Sequence, residues 1–92
     1  MTLTELRYIV ALAEERHFGR ATERCFVAQP TLSLGIRRLE DELGVVLFER
    51  GAGKVRLTPA GERIVEQARR ILEEAEALKR LAEAHRDPLG SP

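Results

Sequence analysis

The stretch AQPTLSLGIRRLEDEL, residues 28–43, decides how this chain is read. Wound as a helix at about 100° per residue, it gathers Leu32, Ile36, Leu39 and Leu43 on one stripe and turns Pro30, Leu34, Arg37 and Arg38 to the opposite side. The stripe is built to be buried. The opposite face carries two adjacent arginines and an outward leucine, flanked by the hydroxyls of Thr31 and Ser33, with Gln29 in the first turn. Groups of these kinds reach base edges and phosphates from a helix lying in a major groove. The stretch is therefore expected to be the recognition helix of a domain that binds double-stranded DNA.

The neighbouring sequence supplies the rest of such a domain. Upstream, Thr2 and Glu5 have capping-box spacing, and Leu3, Leu6, Ile9, Val10 and Ala13 recur at helical intervals, so a scaffold helix is expected first. After His17, which is suited to cap it, a short second helix follows. Phe18, Ala21, Thr22 and Cys25 share one of its faces, and Arg16, Arg20 and Arg24 repeat every fourth residue on another. Phe26 to Ala28 then turn the chain into the recognition helix, and a short helix, a tight turn and a basic-faced helix make a helix-turn-helix.

Downstream, Pro30 suits a first helical turn and Gly44 suits a left-handed helix end. Val45 to Arg50 and Val55 to Thr58 read as two short strands around Gly51-Ala52-Gly53, a glycine-rich hairpin tip. Such a hairpin beside a helix-turn-helix is a wing, and Arg50, Lys54 and Arg56 equip it to lie along phosphates or enter a minor groove. Thr58 and Pro59 then open the longest helix, Pro59 to Ala84, roughly 40 Å at 1.5 Å per residue. Ile64, Ala68, Ile71, Ala75, Leu78 and Ala82 alternate spacings of four and three along it, a heptad seam that Val65 and Leu72 widen. Ile64, Ala68, Ile71, Leu72, Ala75, Leu78 and Ala82 are expected to meet the same helix of a second copy. The fold class is thus mainly α, a winged helix-turn-helix over residues 1–58 followed by a dimerisation helix over 59–85 and a tail over 86–92.

Composition agrees. Ninety-two residues with 43% apolar and 33% charged content suit one small, soluble, helix-rich domain. Net charge is zero, with 15 basic and 15 acidic side chains, which at first argues against nucleic acid. The distribution answers this: between Arg16 and Arg38 five arginines stand against the single acid Glu23, and between Arg50 and Arg56 three cations stand against none. No apolar run approaches the roughly 20 residues of a membrane span, and Met1 to Leu12 lacks a secretory layout, so a cytoplasmic location is expected. A single cysteine excludes an internal disulfide, and no Cys/His spacing resembles a metal site. Neither a catalytic group nor a cofactor nor a small-molecule ligand is expected.

Three segments carry a family resemblance: ELRYIVALAEERHFGRA (Glu5 to Ala21), QPTLSLGIRRLEDELGVVLFER (Gln29 to Arg50) and LTPAG (Leu57 to Gly61). Together they resemble the N-terminal domain of LysR-type transcriptional regulators over nearly the whole chain. RHFGRATERCF, with Cys25, and QPTLS followed by IRRLEDELG are most similar to the peroxide-sensing OxyR branch. The resemblance implies a winged helix-turn-helix that dimerises through the long linker helix, assembles as a tetramer in the full-length protein and recognises T-N11-A pseudo-palindromes at promoters. It implies DNA contacts from Arg20, Gln29, Pro30, Thr31, Ser33, Leu34, Arg37 and Arg38 and from the wing residues Arg50, Lys54 and Arg56. It also implies an effector domain beyond Asp87, where the branch keeps its peroxide-reactive cysteines, so this stretch is expected to bind DNA without sensing.

The sequence departs from the family at three places. Ala28 stands where a serine cap is usual, a loss of about 1 kcal/mol that Gln29 or Thr31 could make good. Leu34-Gly35 replaces a polar residue followed by glutamine, and Thr22 replaces a common alanine. The alternatives to this reading are a LysR-type regulator with a metabolic effector, a protein-interaction module using the long helix, and a thiol redox enzyme using Cys25. Cys25, set on an apolar helix face, reads as a small core residue.

Overall fold

The computed structural model describes residues 1–51 and 53–86. Helix α1 (Leu3–Glu15) opens with the expected capping box: the Thr2 hydroxyl accepts the Glu5 amide at 3.0 Å, and the Glu5 carboxylate accepts the Thr2 amide at 3.1 Å. It ends at Arg16, whose left-handed backbone (φ 54°) reverses the chain while its amide bonds the Leu12 carbonyl. Arg16 therefore lies between helices and not on the second one, so the expected four-residue arginine repeat begins only at Arg20. His17 caps α2 (Phe18–Cys25), its Nδ1 accepting the Arg20 amide at 3.1 Å. A turn through Phe26, Val27 and Ala28 leads to α3 (Gln29–Leu43), which Gly44 closes in a left-handed conformation.

Helix α1 is the hub, packing against α2, α3 and the long C-terminal helix α4 (Pro59–Ala84). Ile9 and Leu12 from α1, Ala21 from α2, Leu32, Ile36 and Leu39 from α3 and Val65 from α4 have no exposed surface. Burying each large aliphatic side chain of this kind favours folding by about 1.5–3 kcal/mol. Leu43, expected on the same stripe, is 39% exposed. The last turn of α3 lies beside Met1, whose ammonium meets the Glu42 carboxylate at 2.6 Å, and Leu43 stays partly open to solvent there.

The wing is an antiparallel hairpin of β1 (Phe48–Gly51) and β2 (Lys54–Leu57), with Phe48 paired to Leu57 and Gly51 to Lys54. Its first strand begins three residues later than expected. Side chains occupy the backbone of residues 45–47 instead: the Glu40 carboxylate accepts the amides of Leu47 (2.7 Å) and Phe48 (3.4 Å), and the Thr58 hydroxyl donates to the Val46 carbonyl (2.6 Å). Thr58 is likewise a cap and not a strand residue, accepting the Gly61 amide at 2.9 Å to start α4. A charged acceptor for part-buried amides is a strong bond, worth about 1.5–3 kcal/mol. Glu40→Ala is accordingly expected to lower unfolding free energy by about 2 kcal/mol in urea titration, with Glu40→Gln recovering most of the loss because it keeps the acceptor. Equal midpoints for wild type and Glu40→Ala would show that this clip contributes nothing.

Helix α4 separates two flanks that the heptad reading merged. Val65 is fully buried and Ala68 is 1% exposed within a single chain, so Ala68 belongs to the intramolecular core and is out of reach of a second copy. Leu72 is also turned towards α1, while Ile64, Ile71 and Ala75 are half-buried and Leu78 and Ala82 are exposed. Leu81, which the seam omitted, is 61% exposed. The helix outruns the globular part and gives the molecule its 60 × 24 × 20 Å extents. No described helix is long and apolar enough to cross a membrane. The expected tail, apart from Arg86, and Ala52 of the hairpin tip lie outside the described residues.

Candidate nucleic-acid interface

The outward face of α3 is assembled by the burial of its inward face. Leu32, Ile36 and Leu39 lock the helix to α1, which leaves Gln29, Pro30, Thr31, Leu34, Arg37 and Arg38 exposed and Ser33 half-buried beside them. Among the described residues, neither Arg37 nor Arg38 has a carboxylate within 4 Å. Two adjacent cations therefore stand, among the described residues, without an acid partner on a helix face that otherwise carries Gln29, Thr31 and Ser33 with the apolar Pro30 and Leu34. The N terminus of α3 has no side-chain cap at Ala28, so neither Gln29 nor Thr31 makes good the missing serine. Its uncapped end, with the positive pole of the helix dipole, is compatible with a phosphate.

The arginines of α2 behave differently. Arg20 donates to the Glu15 carbonyl at 3.0 Å and lies 3.5 Å from its carboxylate, while Arg24 meets Glu14 at 2.6 Å and Glu15 at 3.4 Å. Arg69 of α4 completes the cluster on Glu14 at 3.0 Å, so one carboxylate links three helices. Burial pushes the Glu14 carboxyl up, but hydrogen bonds and charges from Arg24 and Arg69 outweigh this and hold it below the usual carboxylate range. Past Arg16, the basic stretch as far as Arg38 is thus two populations: α2 guanidiniums paired with carboxylates of α1, and α3 guanidiniums with no acid partner among the described residues. Nothing in the spacing foretold this, because Glu14 and Glu15 lie outside the stretch and face it only once α1 and α2 pack.

The wing also divides its cations by face. Cross-strand partners share a side, so Phe48, Arg50, Val55 and Leu57 turn inward, and Glu49, Lys54 and Arg56 turn outward. Arg50 lies with its guanidinium 5.2 Å from the centre of the Phe18 ring, a cation–π contact that ties the wing to α2. Phe18 thus holds Arg50 in place, a contact not visible to sequence reasoning, which had assigned Phe18 only to the apolar face of α2. Lys54 and Arg56 remain exposed and, among the described residues, without a salt-bridge partner, although Arg56 stands opposite Glu49 in the ladder.

Cys25 is half-buried, and its thiol is raised by burial, with Arg24 opposing only in part. A raised thiol is poor in thiolate at neutral pH, the opposite of what a redox nucleophile requires. Among the described residues there is no cluster of acids, histidines and cysteines able to hold a metal. Thr22 donates to the Gly19 carbonyl at 2.6 Å and stays within its own helix.

Comparison with known proteins bears on this geometry. Residues 3–62 match the family described as "Bacterial regulatory helix-turn-helix protein, lysR family". The chain is 52% identical over all 92 residues to the hydrogen peroxide-inducible genes activator of Pectobacterium carotovorum subsp. carotovorum, and spans about 30% of that protein's length. Among solved structures it is similar to a full-length OxyR variant from Pseudomonas aeruginosa, with TM-score 0.91 and 63% identity over 95% of this chain and 30% of that one. It is also similar to the DNA-binding domain of CbnR solved in complex with DNA, with TM-score 0.84 and 40% identity over 94% of this chain and all of the other. These relatives are named as transcriptional regulators and not as enzymes.

Proposed function

The chain belongs to the LysR family of bacterial regulatory helix-turn-helix proteins, and from that membership we propose that it reads double-stranded DNA as a homodimer at a pseudo-palindromic promoter site. Helix α3 enters the major groove with Gln29, Pro30, Thr31, Ser33, Leu34, Arg37 and Arg38, and the outward wing cations Lys54 and Arg56 follow the phosphates. Arg50 contributes from its seat on Phe18, and Arg20 serves the interface only by leaving Glu15. The reading divides the chain at Thr58 into a DNA-binding unit and a dimerisation helix, whose Ile64, Ile71, Ala75, Leu78, Leu81 and Ala82 meet a second copy. The naming of its relatives supports a peroxide-responsive regulator, acting in the cytoplasm where bacterial promoters are.

One observation carries the proposal: Arg37 and Arg38 stand exposed and, among the described residues, without a carboxylate partner, on a helix whose other face is locked into the core. The test is fluorescence anisotropy of the protein with a labelled T-N11-A duplex and a scrambled one across a salt series. Binding should favour the T-N11-A duplex and fall steeply with salt. Arg37→Ala or Arg38→Ala should cost about 1–3 kcal/mol of discrimination if the arginine reads a base, or flatten the salt slope by about one unit if it meets a phosphate. Equal affinity for both duplexes, unchanged by either substitution, would overturn the proposal.

A further inference from the structure

Leu34 is the feature of α3 that its polar surroundings do not explain. It is 50% exposed in the middle of the outward face, with Pro30 one turn before it, Arg37 and Arg38 one turn after, and Ser33 alongside. Pro30, Ser33, Leu34 and Arg37 line a shallow hollow open to solvent. Its neighbour Gly35 determines where it points. A Cβ built at Gly35 would come within 2.7 Å of Cδ2 and 2.8 Å of Cε2 of the buried Tyr8 ring, so the Gly35 backbone lies directly against α1. That close approach fixes the rotation of α3 about its axis, and a rotation of about 100° per residue then carries Leu34 away from Tyr8.

From this we infer that Leu34 reads the C5-methyl group of a thymine in each half-site. The inference rests on the DNA-binding reading and specifies one base within it. An aliphatic side chain has no hydrogen bond to offer, and the major-groove edges present one apolar group suited to it, the thymine methyl. The hollow is the right kind of seat, with Pro30 and Leu34 supplying apolar surface to its lining. Arg37, one turn on, reaches the neighbouring base or phosphate and holds the helix at that depth. The Leu34-Gly35 pair thus acts as a unit: the glycine brings the helix against Tyr8, and the leucine faces the groove.

Replacing thymine with deoxyuridine removes the methyl and leaves every hydrogen-bonding group in place. The probe is a T-N11-A duplex selected by this protein from a randomised pool, with thymines replaced one symmetric pair at a time. Burying a methyl-sized group is worth about 0.8 kcal/mol, or about fourfold in affinity per half-site. One pair of positions should therefore weaken binding about fifteenfold when both half-sites carry deoxyuridine. Leu34→Ala should abolish that difference, whereas Arg37→Ala should weaken binding to the thymine and deoxyuridine duplexes alike. Preference for the selected site over a scrambled one, with no thymine sensitive to the exchange, would overturn the inference and leave the DNA-binding reading standing. A sensitive position that persists in Leu34→Ala would also overturn it, assigning the methyl to another side chain. No preference for any selected duplex would defeat both.

Discussion

Gly61→Ala is expected to destabilise the fold by about 2–3 kcal/mol, which for a domain of this size lowers Tm by roughly 10–20 °C. Gly61 is buried in the first turn of α4, where its amide donates to the Thr58 hydroxyl. A Cβ built there overlaps the Leu47 carbonyl oxygen and comes within 3.0 Å of the Leu47 carbonyl carbon and 3.1 Å of Cδ2 of Leu57. The obstruction is backbone, and that backbone is held from both sides. The Leu47 carbonyl accepts the Thr58 amide at 3.0 Å, and the Leu47 amide donates to Glu40 at 2.7 Å. Relief requires α4 to lift away from the wing connector, breaking its cap or the Glu40 clip. The gain of about 1 kcal/mol in helix propensity from glycine to alanine offsets only part of this. Gly51, at the end of β1 with open space around it, provides the comparison, and Gly51→Ala is expected to stay within about 0.5 kcal/mol of wild type. Thermal melts of the three proteins at one concentration check the prediction, and a Gly61→Ala midpoint matching wild type would show that the connector yields freely.

The same clip explains where sequence reading succeeded and where it stopped. Caps are local chemistry, so Thr2 with Glu5, His17, Gly44 and Thr58 with Pro59 could be recognised from neighbours a few positions away, and they fixed every helix start or end that they touch. Glu40 could not be recognised, because on α3 it is one more acid in LEDEL, and its carboxylate acquires a role only when residues 45–47 double back over it. The pairing of Arg20 and Arg24 was hidden for the same reason. Their partners Glu14 and Glu15 sit across a helix reversal, and charge counted along the chain does not reveal pairing across a packed interface. Periodicity found the apolar stripe of α4 but not its division, since Ala68 and Ile71 are neighbours on one stripe while α1 covers the first almost completely and the second only in part. For the outward face of α3, the residues were legible because exclusion from the core is periodic. The free state of Arg37 and Arg38 was not, because it depends on which acids lie within reach.

Leu78→Asp combined with Leu81→Asp is expected to abolish dimerisation and to weaken binding to a two-half-site duplex by a factor on the order of 100 to 10,000. Leu78 and Leu81 are 69% and 61% exposed on the part of α4 that extends past the globular body. Among the described residues nothing covers them, and this surface stands in water in a single copy. Burying such a leucine contributes about 1.5–3 kcal/mol, so the four leucines of a dimer supply roughly 6–12 kcal/mol, against several kcal/mol for lost rotational and translational freedom. Charges at both positions remove that gain and add the cost of desolvating a carboxylate. Because these side chains are exposed in the monomer, the variant should fold normally, with α1, α2, α3 and the wing intact by circular dichroism. The loss in affinity then comes from linkage. In the proposed dimer each protomer keeps its own half-site contacts when the leucines are lost, but the second half-site is no longer presented at the roughly millimolar effective concentration that a shared helix seam would provide. Binding to a single half-site should be unchanged, which separates loss of the dimer from damage to the recognition helix. Sedimentation velocity together with anisotropy on one-half-site and two-half-site duplexes decides the matter. A variant that still sediments as a dimer would move the seam towards Ile64 and Ile71, nearer the α1 contact, where α4 is already half covered.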